Sequence, residues 1–150
     1  MNNPDNFLAL EPLLVARLAE QLADMNPKVH VLTAVDLAAV TEATQVTPAI
    51  HVIYNGHRVT ESDSTGRKVR VEQTWLAVVA TRNMRQLANG EAARGDAGRI
   101  AARACLELMG FKPAMLSKPL RLVSGPNGGF SAGFQYLPLA FVAELVLTKP

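Results

Sequence analysis

The sequence predicts an α+β fold: a mixed or antiparallel β-sheet built around one long hairpin, with two main helices packed on one face. Three observations predict it. The apolar run Ala49-Ile50-His51-Val52-Ile53-Tyr54 is followed by a polar insert and then by the long run Lys68 to Arg82, which reads as two strands of a hairpin. On either side of that hairpin, apolar residues recur at steps of three and four, the spacing of a helix. The segment Phe134 to Thr148 then alternates in the manner of a closing strand.

From about Asn6 to Met25, Leu10, Leu14, Leu18, Leu22 and Met25 form one stripe, widened by Leu13 and Val15. Pro12 is tolerated in the first turn, and Asn26-Pro27 is expected to stop the helix. Val29 to Leu32 is a short strand candidate. Asp36 is placed to cap a brief helix over Leu37 to Val40, with polar linker from Thr41 to Pro48. The hairpin insert, Asn55 to Arg67, holds two turn signals, Asn55-Gly56 and Thr65-Gly66.

In the return strand Val69, Val71, Gln73, Trp75, Ala77 and Val79 point one way, and Arg70, Glu72, Thr74, Leu76, Val78 and Ala80 the other. The second face begins charged and becomes apolar half-way, so its first half is expected to project from the sheet as an arm. Asn83 to Gly90 connects to a second helix, with Ala93, Ala97, Ile100, Ala101, Ala104, Cys105 and Leu108 on one face. So many alanines imply a close approach to the sheet. Arg99, Arg103 and Glu107 form an exposed row in which Arg103 and Glu107 are spaced to pair, and Gly110 suits the left-handed cap. Lys118 to Ser124 and Phe134 to Thr148 read as strands around the turn signal Gly125-Pro126-Asn127-Gly128-Gly129, and Pro138 marks an edge or a bulge.

The 150 residues suit one domain spanning 1–150, and a hydrophobic fraction of 49% is ample for a core. A net charge of +2 demands neither nucleic acid nor an anionic membrane, and 5% aromatics argue against a stacking platform for single strands. Cys105 stands alone, which excludes an internal disulfide and a cysteine-based zinc site and fits a reducing compartment. The start of the chain lacks the basic residues of a secretion signal, and Phe130 to Leu147 carries Gln135, Pro138 and Glu144, so it reads as strand rather than membrane span. No membrane partner is expected.

Catalytic signatures are weak. The glycine-rich segment precedes a strand, whereas a phosphate loop needs a following helix N-terminus. His30, His51 and His57 are too scattered for a short ligand motif, and Cys105 lies on the buried face of its helix. Glu42, Glu72 and Glu144 sit on separate elements, so only the fold can bring acids together. The cations Arg58, Arg67, Lys68 and Arg70 cluster on the arm among Glu61, Asp63 and Glu72, a mixed-sign surface that suits a solvated arm or a polar subunit contact better than DNA binding. Arg82 and Arg85, at the far end of the strand, suit rim contacts or plain solubility equally.

The N-terminal amphipathic helix, the entry Thr47-Pro48-Ala49-Ile50-His51-Val52, the return arm Glu72-Gln73-Thr74-Trp75-Leu76-Ala77-Val78-Val79-Ala80, the alanine-rich helix and the final apolar strand together resemble the tail terminator proteins of long-tailed bacteriophages, particularly the Mu-like kind. The resemblance runs from about Leu8 to Thr148. It implies a structural virion protein at the head-proximal end of the tail, assembled in the host cytoplasm. Such a protein forms a homohexameric ring on the tail tube protein, stops polymerisation and joins the head-completion proteins, with no cofactor and no catalysis. DNA is expected to pass through the lumen without specific binding. The arm, through Arg58, Arg67, Lys68 and Arg70, is expected to reach a neighbouring subunit or the tube. The alternatives are another head–tail connector or tail completion protein, or a small cytosolic α+β enzyme.

Overall fold

The computed structural model describes residues 3–42, 46–82, 91–131 and 133–150. The elements are α1 (Leu10–Gln21), β1 (His30–Thr33), α2 (Leu37–Glu42), β2 (Ala49–Ser62), β3 (Lys68–Arg82), α3 (Glu91–Leu108), β4 (Arg121–Val123), β5 (Gly129–Ser131) and β6 (Phe134–Thr148). They build one mixed sheet in the order β1-β2-β3-β6-β4, with β5 also paired to β6. Only β1 and β2 run parallel; the other pairs are antiparallel.

Alternation along β3 divides the core as its sequence predicts. Trp75, Ala77 and Val79 join Ile50, Val52, Phe141, Ala143 and Leu145 on an inner face, covered by Leu10, Leu14 and Leu18 of α1 and by Ala97, Ile100, Ala101, Ala104 and Leu108 of α3. Leu76, Val78 and Ala80 join Ile53, Tyr136 and Ala140 on the outer face, where Leu37 and Val40 of the short α2 cover them. The two main helices therefore share one face, and α2 protects part of the other. Asp36 caps α2 as anticipated, its Oδ1 accepting the Ala39 N–H at 2.8 Å.

The hairpin differs from its sequence reading in two respects. First, Asn55-Gly56 is not a turn. The register steps from Tyr54↔Trp75 to His57↔Gln73, so Asn55 and Gly56 form a bulge, with Gly56 at φ 91°. The reversal lies at Asp63–Arg67, where Asp63 Oδ1 accepts the N–H groups of Thr65 and Arg67 and the Thr65 hydroxyl. Secondly, no two-stranded arm leaves the sheet. β3 pairs with β6 along its whole length, from Lys68↔Thr148 to Arg82↔Phe134. The charged half of β3 is thus the middle of a three-stranded slab, solvated on its outer face.

The N-terminal segment braces that slab. Gln73, fully buried, donates from Nε2 to the Phe7 carbonyl at 2.7 Å, and its Oε1 accepts the Trp75 indole N–H at 3.0 Å. Asn3 exchanges two hydrogen bonds with the Thr148 backbone.

Three further expectations change. α1 ends at Gln21, ahead of Asn26-Pro27. Arg103 of α3 takes the Gln21 carbonyl at 2.7 Å and the Asp24 carboxylate at 2.9 Å, tying down the end of α1 with a cation where the helix dipole favours one. Arg103 is thereby diverted from Glu107, which instead faces Arg17 of α1 at 3.8 Å. Finally, the glycine-rich segment does not reverse the chain, because β4 and β5 lie along the same edge of β6. Between the pairs Val123↔Ala140 and Gly129↔Tyr136 the incoming chain is two residues longer than β6, a detour opposite Pro138. Its glycines are needed for closeness: a Cβ on Gly125 would stand 2.9 Å from Ala140 Cβ, and one on Gly128 2.5 Å from Tyr136 O. The linker 83–90 lies outside the described residues.

Gln73→Leu leaves the Trp75 N–H and the Phe7 carbonyl without their partner, and each orphaned group costs about 1–3 kcal/mol. The variant is expected to unfold at a lower temperature than the parent. Fluorescence of Trp75, the sole tryptophan, should report the loss of its buried environment.

Candidate assembly surface

Strand register sets up a conflict on the outer face of the slab. Arg58 stands opposite Glu72 across β2 and β3, and Glu72 stands opposite Glu144 across β3 and β6. Directly opposed carboxylates repel. Four cations resolve it. Glu72 receives Arg58 at 2.7 Å and Arg121 at 3.1 Å, while Glu144 receives Arg70 at 2.8 Å and Lys118 at 3.7 Å. The Ser117 hydroxyl donates to Glu144 Oε1 at 2.6 Å, and Arg70 also reaches Glu61 at 3.9 Å.

These contacts fix the protonation state. Hydrogen bonds from Arg58 and Arg121 hold the Glu72 carboxyl below the usual carboxylate range. Burial pushes Glu144 up, but Ser117, Arg70 and Lys118 more than reverse it, so its pKa also falls. The fold does bring two acids together, as sequence spacing alone could not. Both are shifted away from neutrality, however, the opposite of what a general acid requires. The surface is a neutralised ionic lattice.

Arg58 and Arg70 are therefore brought together, each committed to a glutamate. Arg67 and Lys68 occupy the exposed tip, and neither side chain makes an ion pair with a described residue. Arg82 lies at the opposite end of β3, its guanidinium 4.9 Å from the centre of the Phe134 ring. Arg85 falls outside the described residues. Sequence reasoning missed Lys118, Arg121 and Ser117, whose roles depend on β4 and its approach lying against β6. The available signal was Glu144, a lone acid in an apolar strand.

The remaining titratable groups lead elsewhere. His51 is buried, its Nε2 has no hydrogen-bond partner, and burial lowers its pKa and keeps it neutral. Among the described residues no three His, Cys, Asp or Glu side chains are grouped to hold a metal ion. Burial raises the Cys105 thiol, which keeps it protonated and unreactive at neutral pH. A cavity of about 250 Å³ beside Met25, Pro27, Pro48, Arg82 and Ile100 is walled by the Asp96–Arg99 ion pair. No helix is long and apolar enough to cross a membrane among the described residues.

Because Glu72 and Glu144 have depressed folded pKa values, the stability they confer is complete above the unfolded value of about 4.3. It is lost as pH falls through the folded values. Glu144→Gln is expected to cost about 1–3 kcal/mol at pH 7, since cations lose their charged partner. The variant should also show a shallower loss of thermal midpoint between pH 5 and about pH 2, measured by circular dichroism.

A solved structure of the virion of a native gene transfer agent particle contains a chain matching 92% of this one and 98% of itself, at 18% identity and a TM-score of 0.53, a likeness of fold. No curated protein matches. The model of the family described as phage tail terminator protein matches residues 4–149, which take in every described strand and helix. The chain accordingly belongs to the phage tail terminator family, structural proteins of the virion tail.

Proposed function

We propose that this protein closes the phage tail tube as a homohexameric ring. It ends polymerisation at the head-proximal end and offers its other face to head-completion proteins. On this reading it assembles in the host cytoplasm, needs no cofactor and catalyses no reaction. Family membership supports the station. The observation that carries the mechanism is the slab: a stiff three-stranded extension, neutralised along its outer face by internal ion pairs, ending in Arg67 and Lys68, which have no ion partner among the described residues.

A free cation at the end of a rigid extension retains its charge for a partner, whereas Arg58 and Arg70 have already spent theirs on Glu72 and Glu144. The tip is thus the favoured contact with the tube or the next subunit, with Arg58 and Arg70 holding the strands that carry it. Arg82 serves as a rim contact at the opposite end of β3. The small net charge of +2 suits a lumen through which DNA slides, because each neutralised phosphate adds salt-dependent affinity and would impede transit.

Deleting residues 61–68, which removes Arg67 and Lys68 with the turn, and joining the strands with a two-residue turn is expected to leave the fold intact and abolish attachment to tail tubes, seen by negative-stain microscopy. Undiminished capping by that variant would refute a role for the tip. Duplex DNA mixed with the protein at physiological salt is expected to migrate unshifted in a mobility assay; a tight complex would contradict passage through an inert lumen.

A further inference from the structure

A ring of identical subunits needs two different patches, one on each side of the subunit. The free edges of the sheet differ sharply in their fitness for this. The outer half of β2 is unpaired beyond Val52, but two register shifts interrupt it and Arg58 and Glu61 flank it, devices that discourage strand addition. The far end of β6 is closed by the Ser117 N–H on Glu144 O and by Asn3 on Thr148. Among the described edges there remain β1 at one extreme of the sheet and, at the other, β4 with the three-residue β5 beside it along β6.

Both present backbone groups to the open side. His30 and Ala34 donate to Pro48 and Val52, so by alternation Val31 and Thr33 turn their N–H and C=O groups outward. Leu120 exchanges hydrogen bonds with Gly110 and Phe111, away from β6, so Leu122 two residues on also faces outward. Beside β1, on the α1 side, runs a groove of about 580 Å³ lined by Ala19, Ala23, Val29 and Val31. Leu122 pairs with the inner-face residue Phe141, so its side chain lies on that same side, and it is 42% exposed.

Lys28 lines the β1 groove, and Lys118 and Arg121 beside β4 are already held by Glu144 and Glu72, so free backbone edges and the apolar fit of Leu122, rather than opposed charge, select the occupant. The occupant of the β1 groove is therefore a second copy of this chain.

We infer that β1 of one subunit pairs antiparallel with β4 of the next, with Val31 opposite Leu122, so that the sheet continues around the ring and Leu122 fills the groove over Ala19 and Ala23. The direction follows from topology. β1 runs with β2 and β6, and β4 runs against them, so copies carried round by rotation meet antiparallel. The ladder stops at Thr33, because the Gly110–Phe111 turn already occupies Leu120. This contact rests on the ring reading of the preceding section and names the edges that close it.

In this register Leu32 faces Arg121 as a non-hydrogen-bonded pair, with Cα atoms about 4.5 Å apart, within disulfide range. Leu32→Cys with Arg121→Cys, in a Cys105→Ser background, should therefore cross-link on oxidation into a ladder closing at six, in rings formed by concentrated protein or on tubes. Each single-cysteine variant should remain monomeric on a denaturing gel. Val31→Pro removes an outward N–H and alters a half-buried side chain packed on the core, and should abolish rings while the subunit still unfolds in one cooperative transition. Rings that form without the ladder, dimers from Leu32→Cys alone, or normal rings from Val31→Pro would overturn this contact and leave the ring standing. Absence of rings from the parent protein, both alone and on tubes, would overturn the ring and this contact with it.

Discussion

The full-length pairing of β3 with β6 is the constraint on which the remainder depends. One strand runs through the middle of the sheet for its whole length, so both of its faces must be satisfied at every position. Near Trp75 to Ala80 the solution is apolar on both sides, with α1 and α3 beneath and α2 above. Towards Lys68 no helix covers the outer face, and the solution is ionic, with Glu72 and Glu144 side by side under four cations. An apolar outer face there would leave an exposed greasy patch, and an unpaired acidic one would drive the strands apart.

The same pairing explains why the slab is stiff. A two-stranded ribbon in water is marginal by itself, whereas three strands with a braced inner face hold their shape. The brace is polar as well as apolar: Gln73 joins the indole of Trp75 to the backbone of Phe7, so the segment ahead of α1 is fastened to the strand that leads to the tip. His57 extends this cluster, its ring edge-on to Phe7 and hydrogen-bonded to the Tyr54 hydroxyl at 2.6 Å. The Gly56 bulge makes that possible, since it returns His57 to the face that Tyr54 occupies.

What could be read from the chain was whatever repeats locally. The leucine stripe of α1, the alanines of α3, the two faces of β3, the Asp36 cap and the left-handed Gly110 all follow from spacing and residue chemistry within a few positions. Features fixed by distant partners were not legible. Asn55-Gly56 has the composition of a turn and becomes a bulge because β3 continues opposite it. Gly125 to Gly129 has the composition of a hairpin loop and becomes a detour because β6 carries Pro138. Arg103 is spaced to meet Glu107 and instead holds the end of α1, which the sequence places 79 residues away from it at Asp24. For the assembly surface, Arg58 and Arg70 could be found as cations on one strand pair, but Arg70's partner Glu144 required the β3–β6 register, and Lys118 and Arg121 required β4 to lie against β6.

The detour at Pro138 carries a last consequence, for behaviour before assembly. It splits what would have been one long border strand into β4 and β5, three residues each, while β1 on the opposite border has four. A fibre grows by stacking long, straight, unbroken borders, and none is available among these described edges. Brief borders hold a neighbour only where side chains on both sides also fit. Newly made chains can thus accumulate at high local concentration and still ignore wrong partners.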